Sequence, residues 1–478
     1  MITKNCLKIN HLLTAFLSVV LWISTGSCKD NKADYINLSA NSFTFNADGK
    51  EELKINVEAS QHWTVEYVGK WVVEKSKDSN SIMLGATQTQ NGSVRSAQVI
   101  FRAGEAVETV NLTQLGTTIT FSLLEPTSVY TIMSPGGKYI GGVTSALEGG
   151  KYKFTPFTIN IATGKKEEKP FIMDVSHVAA SISDDGFFVI YEESKGIAKY
   201  YDENNNLTTM NIPASFESPQ VSAISADGKI MVGYARNTAD KRYYPIKWTG
   251  GTPKILDIPE ESLFGELIDV GAYARGCSAD GSVIYGAIAD DQSALIWKGD
   301  NKVKFVGENL IKKHIITVNT GSGDFSYLEV DRPIYYADCT SISMNGKYLA
   351  TTFLELTAPN KEVKALSYPA YYDVENETLT CVRDLPDGFE DASGITISND
   401  GILSFVCPAT AFTDGYVYDI HSRATMKATT FLHDEYGVIF TGNTSAIYQF
   451  APDRKAVFGM NMLLQGSAYQ YWYINAEE

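Results

Sequence analysis

The chain has 478 residues, 44% of them hydrophobic and 20% charged, which is ordinary globular material with length enough for more than one folded unit. Its formal charge of -16 repels phosphate backbones, and no Lys/Arg cluster interleaved with aromatics offsets it, which argues against a nucleic-acid partner. The 27 tyrosines and 22 phenylalanines stand against few long helical patterns, so an all-β protein is expected.

Residues 1–27 carry the three parts of a bacterial export signal: Lys4 and Lys8, an apolar run from Leu12 to Ile23, then Ser24-Thr25-Gly26-Ser27 ahead of Cys28. The run is shorter than the roughly 20 residues a membrane span needs. Thr25-Gly26-Ser27-Cys28 resembles a bacterial lipobox, with Thr25 in place of the usual aliphatic residue. The stretch Cys28-Lys29-Asp30-Asn31-Lys32-Ala33-Asp34 resembles the charged export tag of Bacteroidetes surface lipoproteins. The resemblance implies lipid attachment at Cys28, an anchored linker over 28–33, and an outer-membrane protein exposed at the cell surface. Acylation of both the Cys28 thiol and its new amino group would give the multiple chains that stable anchoring takes. A plain signal peptide with an incidental cysteine is the alternative. Of the other cysteines, Cys277, Cys339, Cys381 and Cys407 form no Cys-x-x-Cys pair, so zinc spacing and a thioredoxin-like motif are absent. Cys277 and Cys407 fall inside strand patterns and read as buried thiols; a disulfide among the four stays open.

Over 34–115 the pattern is strict alternation: Leu53, Ile55, Val57; Trp63, Val65, Tyr67; Ala97, Val99, Phe101; Val107, Val110, Leu112. Period two across several short runs, with turns such as Asn46-Ala47-Asp48-Gly49 between them, predicts a β-sandwich. The order of Trp63, Trp71-Val72-Val73, Asn91, Arg95, Ala97-Val99-Phe101 and Val110-Leu112-Gln114-Gly116 resembles the BACON domain, an immunoglobulin-like module. That resemblance implies carbohydrate or mucin binding, or a spacer. Trp63 and Trp71 are the candidate sugar-stacking aromatics; in so small a domain the competing role for both is core.

From 116 to 478 one punctuation recurs: Ser134-Pro135-Gly136-Gly137, Ser183-Asp184-Asp185-Gly186, Ser225-Ala226-Asp227-Gly228, Ser278-Ala279-Asp280-Gly281, Ser343-Met344-Asn345-Gly346, Ser398-Asn399-Asp400-Gly401 and the degenerate Ala451-Pro452-Asp453-Arg454. Its glycines lie 49, 42, 53, 65 and 55 residues apart by their numbers, and periods on the order of 40 to 50 residues, each holding several strands, are what propeller blades produce. Each copy lies between apolar runs read as strands a and b, a hairpin signal. An aromatic strand c follows, for example Pro245-Ile246-Lys247-Trp248, and then a strand d, read at Pro170-Phe171-Ile172 in the first unit and Met426 to Phe431 in the sixth. The seventh unit lacks strand d, and the lone run Thr117 to Leu124 can supply it, so the expectation is a seven-bladed propeller closed by an N-terminal strand. The Ser-x-Asp-Gly-Lys hairpin resembles PD40-type repeats, and Trp248-Thr249-Gly250 and Trp297-Lys298-Gly299 resemble the bacterial extracellular HAF repeat.

Long connections mark one face of such a ring, above all Glu308 to Ala337, read either as a recognition insert or as an added hairpin. Candidate ligand-binding residues near that face are His177, Arg236, Tyr273, Arg275, Tyr327, Arg332, Asp338 and Asp391, with structural salt bridges as the competing role. No metal-ligand spacing, nucleophile elbow, Walker loop or dinucleotide turn occurs, so neither a metal nor a cofactor is expected. The leading reading is a non-catalytic surface lipoprotein binding a glycan or glycoprotein. A scaffold for a partner protein of an outer-membrane uptake complex is the second. A polysaccharide hydrolase or lyase, using a carboxylate pair drawn from Asp290, Asp291, Asp338 and Asp391, is the third.

Overall fold

The structure is a computed structural model. It describes residues 33–89, 92–116, 118–169, 180–192, 196–262, 267–289, 293–299, 302–310, 313–319, 325–331, 334–357, 364–385, 389, 392–407, 414–440, 445–462 and 469–477.

Alternation at the N-terminal end produces two facing four-stranded sheets. In Leu53–Ala59 every second residue is buried, and Ile55, Leu84, Val99 and Phe101 meet in one core with Trp63 and Trp71. The strand Ser42–Phe45 runs parallel to Ala106–Gln114, whereas the other pairs in both sheets are antiparallel.

Seven further four-stranded antiparallel sheets follow among the described residues. Each is a meander whose first strand, a, lies innermost: Ser128–Met133, Ala180–Ile182, Phe216–Ile224, Ala272–Cys277, Ile334–Ile342, Ser393–Ile397 and Ser445–Phe450. The third sheet shows the pattern in full, with Phe216–Ile224, Ile230–Asn237, Tyr243–Thr249 and Thr252–Ile255 in order. In the seventh, the outer strand is Thr118–Leu123, which pairs antiparallel with Tyr469–Glu477 from Leu123↔Trp472 to Thr118↔Glu477. First and last sheets also share a core, in which Met133, Ile140 and Phe157 pack with Ala456, Phe458 and Tyr473. The sheets therefore form a closed ring of β-propeller type.

The recurring turn does two jobs. Within a sheet, the Ser225 hydroxyl accepts from the Ile230 N–H at 2.9 Å and donates to Asp227 at 2.7 Å, while Gly228 takes a left-handed φ of 70°. Between sheets, residues one or two places after most of the turn serines bond sideways. The Asp184 N–H donates to Ala226 O at 2.9 Å, Ala226 N–H to Ala279 O at 2.7 Å, and Ala279 N–H to Met344 O at 2.9 Å. Asn345 N–H donates to the Asn399 amide oxygen, and the Asn399 amide donates to Pro452 O. Asp184 accepts from the Ser134 hydroxyl at 2.5 Å and the Gly136 N–H at 3.0 Å. The Gln449 amide closes the circuit by donating to Ser134 O at 3.4 Å.

Two strand-c tryptophans tie the third and fourth sheets to the segment that follows the preceding sheet's strand d. Trp248 and Trp297 are fully buried, and their indole N–H groups donate to Asn211 O and Asp257 O, both at 2.7 Å.

Two expected strands differ. In the first sheet strand d is Lys166–Glu168, because a tight turn with Gly164 N–H on Asn160 O at 2.8 Å returns the chain early; residues 170–172 lie outside the described residues. In the sixth, strand d stops at Lys427 and the chain continues as a helix, Ala428–Tyr436, which buries Ala428, Phe431, Leu432 and Tyr436. The long connection after the fourth sheet holds an added hairpin, Lys313–Asn319 with Phe325–Asp331.

Asp184 tests the circuit. Asp184→Ala should lower unfolding free energy by about 1–3 kcal/mol, the cost of stranding its buried donors, read as a fall in the urea midpoint. Asp185→Ala beside it, exposed, should change stability by less than about 0.5 kcal/mol.

Candidate functional site

The inner strands share a repeated irregularity. In the third sheet Val221 pairs with Gly233 and Ala223 with Val232, leaving Ser222 with no residue opposite. The same skip falls at Arg275, Ile395 and Tyr448 in the fourth, sixth and seventh sheets. Such a bulge turns one side chain off the regular alternation. Here it turns all four toward a central cavity of about 530 Å³ lined from all seven sheets. Tyr448 is 38% exposed between Ile447 at 0% and Gln449 at 8%. Opposite the bulge the two strands approach closely: a Cβ on Gly286 would lie 1.8 Å from Tyr273 O.

Most of the cavity wall is apolar, with Ile182, Ile224, Ile342 and Ile395 prominent and serine hydroxyls interspersed. Cys277 also lines it, and burial pushes its thiol up to about 12. A thiol that keeps its proton at neutral pH is a small apolar wall and a poor nucleophile. Among the described residues Cys277, Cys381 and Cys407 are free.

A second feature lies at the strand-a entrance between the third and fourth sheets. Tyr234 and Tyr243 project from neighbouring strands of the third sheet, and Tyr273 comes from the fourth. Ring centroids are 4.3 Å apart for Tyr234–Tyr273, 5.1 Å for Tyr243–Tyr273 and 5.9 Å for Tyr234–Tyr243. Local backbone sets this meeting. Gly271, at φ 92°, bridges to Tyr243 so closely that a Cβ would lie 1.8 Å from the Tyr243 carbonyl oxygen. The Tyr234 hydroxyl donates to the Gln220 side-chain oxygen. All three tyrosines are half-buried. Burial, with Tyr273 beside it, pushes the Tyr234 phenol up to about 12.

The sequence candidates divide as follows. Tyr273 belongs to the tyrosine cluster. Arg275 lies over the Tyr273 ring at 6.0 Å and lines the central cavity. Arg236 pairs in register with Tyr243 and donates from Nε to Lys241 O at 3.1 Å, with Glu217 3.9 Å away. Cys28, His177, Arg332 and Asp391 lie outside the described residues, as do Asp290 and Asp291. Tyr327 and Asp338 sit on the strands Phe325–Asp331 and Ile334–Ile342, but their side chains are outside the description. Trp63 and Trp71 are buried in the N-terminal core at 3% and 7% exposure, so neither offers a face to a sugar ring. The Trp63 indole N–H donates to Ser79 O at 2.7 Å, and Lys77 covers its ring. Sequence reasoning missed Tyr234, Gln220 and the bulge residues Ser222, Ile395 and Tyr448. The glycine eight residues after the turn serine, at Gly233 and Gly286, was the available signal for a bulge opposite.

A cleft of about 390 Å³ lies where the N-terminal unit meets the ring. Its arginines are already engaged: Arg95 with Gln114 and Thr87, and Arg454 with Asp400 and Glu435.

No known protein family and no curated protein matches the chain. Solved structures of β-propeller proteins do resemble it. The β-propeller domain of the trilobed protease from Pyrococcus furiosus aligns at 9% identity over 82% of this chain and 97% of its own, with a TM-score of 0.40. Virginiamycin B lyase from Staphylococcus aureus aligns at 12% identity over 75% of this chain and 99% of its own, with a TM-score of 0.42.

Buried phenols make the ring sensitive to alkali. The raised pKa of Tyr234 means that the unfolded chain releases its proton near the ordinary value of 10.0 while the folded chain keeps it to about 12. The stabilisation is whole below pH 10 and is lost as pH rises through this window. The urea midpoint should therefore fall between about pH 9 and about pH 11, and fall less in Tyr234→Phe.

Proposed function

We propose that this chain is a non-catalytic binding protein of the bacterial cell surface, with a glycan or glycoprotein as ligand. In this reading Cys28 is lipidated, residues 34–115 form a BACON-like sandwich that spaces the ring from the outer membrane, and residues 116–478 form a seven-bladed propeller closed by its N-terminal strand. The observation that carries the binding role is the cluster of Tyr234, Tyr243 and Tyr273 with Gln220. Clustered aromatic rings present apolar faces to sugar C–H groups while phenol and amide groups hydrogen-bond the hydroxyls. The buried tryptophans of the N-terminal unit favour the spacer role for it.

A partner-protein scaffold is the second reading. It is favoured by an exposed hairpin tip in the first sheet, where Leu147 and Tyr152 pair across the strands and are 64% and 59% exposed.

A glycan array with the chain from Lys29 onward tests the first reading. Binding should appear and weaken at least about tenfold, equivalent to about 1.4 kcal/mol, in Tyr243→Ala/Tyr273→Ala with unchanged circular dichroism. Silence from the folded chain, or binding indifferent to the double substitution, overturns it. Anchoring is tested separately: labelled palmitate should be incorporated in a bacterial host by the unaltered chain and lost in Cys28→Ser.

A further inference from the structure

We infer that the central cavity binds a small neutral amphipathic molecule, with a hydroxyl or carbonyl head on Ser181 and Ser222 and an apolar body against the residues that precede the hairpin turns. This site is separate from the tyrosine cluster, since none of Tyr234, Tyr243 and Tyr273 lines the cavity, and it does not depend on the glycan reading.

A cavity of about 530 Å³ falls within the roughly 300–1,000 Å³ of sites that enclose small molecules. Its polarity is layered along the inner strands. Met133, Ile182, Ile224, Cys277 and Ile342 line it immediately before the turn serines, and none of them carries a hydroxyl. Every serine and threonine of the described wall, namely Thr131, Ser181, Ser222 and Ser341, lies one or two residues further from the turn. The turn end of the cavity is therefore apolar, and the hydroxyls stand at the level above it.

Two of these hydroxyls are uncommitted. Thr131 donates to Val129 O at 3.4 Å, and Ser341 shares a hydrogen bond of 3.2 Å with Thr396. Ser181 and Ser222 make no side-chain hydrogen bond among the described residues. Ser181 is only 3% exposed, and the bulge between Val221 and Ala223 turns Ser222 to the cavity. Enclosed polar groups that lack a protein partner are costly, and a bound molecule that hydrogen-bonds them recovers that cost. The two serines stand on the inner strands of successive sheets, Ala180–Ile182 and Phe216–Ile224. A serine hydroxyl both donates and accepts, so an alcohol or a carbonyl head suits them. It carries no charge, so an ionised head placed on it would lose its water for no counter-charge in return. Arg275 also lines the wall, but it is already engaged within the chain and is assigned no part of the ligand. The layering sets the orientation: head at Ser181 and Ser222, hydrocarbon toward the hairpin turns.

Calorimetry of the intact chain with 1-octanol and with ethylbenzene, a hydrocarbon that has no polar head, tests this. Octanol should bind the unaltered chain, and Ser181→Ala/Ser222→Ala should weaken it at least about fivefold while leaving ethylbenzene within about twofold. No binding of octanol, octanol binding indifferent to the double substitution, or an equal loss for both probes would each overturn the proposal. Ser222→Phe, which fills the cavity from the bulge, should abolish octanol binding, and retained binding in that variant would place octanol elsewhere and equally sink the idea. Should Ser222→Phe fail to fold by circular dichroism, the two-probe comparison decides alone, because the alanine substitutions remove hydroxyls that hold no other part of the described chain.

Discussion

Everything in the ring depends on one buried serine hydroxyl repeated around it. Ser134, Ser183, Ser225, Ser278, Ser343 and Ser398 are all buried. Where the oxygen accepts from a backbone N–H four or five residues on, as at Ser225 and Ser398, the turn is satisfied internally. The backbone of the following residue is then free to bond with the neighbouring sheet rather than with its own hairpin. A buried amide or carbonyl with no partner costs about 1–3 kcal/mol, so each turn is pressed against the next one. Local turn chemistry thus becomes lateral attachment. The seventh copy shows what happens when the hydroxyl is missing. Ala451 cannot act in this way, Arg454 takes the left-handed φ of 58° usually left to glycine, and Gln449 and Arg454 supply the cross-links to the first and sixth sheets.

The same strands that lock the ring also furnish its interior. Because the turn fixes the end of strand a and the bulge lies just before it, backbone geometry sets the direction in which the side chain at the bulge leaves the sheet. These positions line the cavity, whereas the lateral hydrogen bonds are made by the turns that follow them.

Legibility followed range. The turns at Ser225-Ala226-Asp227-Gly228 and its copies were readable because they are local, and the strand at 117–124 because its missing partner was visible at the other end of the chain. The lateral bonds were hidden: nothing in Ala226 announces a partner in Ala279. The helix Ala428–Tyr436 was readable and misread. Ala428, Phe431, Leu432 and Tyr436 recur at helical spacing, but a strand was expected from the position in the repeat. For the sites, Tyr273 and Arg275 were singled out from a single strand. Their separation into an aromatic cluster and a cavity wall depends on a bulge and on Gly271, which pairing alone decides.

The pairing of Thr118–Leu123 with Tyr469–Glu477 also fixes a path for mechanical load. The N-terminal unit's last strand ends at Gln114, a few residues before this outer strand begins. Any pull on that unit thus enters the ring at its outermost strand and is borne first by the ladder to Tyr469–Glu477, before it reaches the inner strands. Synthesis imposes the matching order in time. Thr118–Leu123 emerges early and stays an open edge, exposed to pairing with other chains, until Tyr469–Glu477 has been made and covers it.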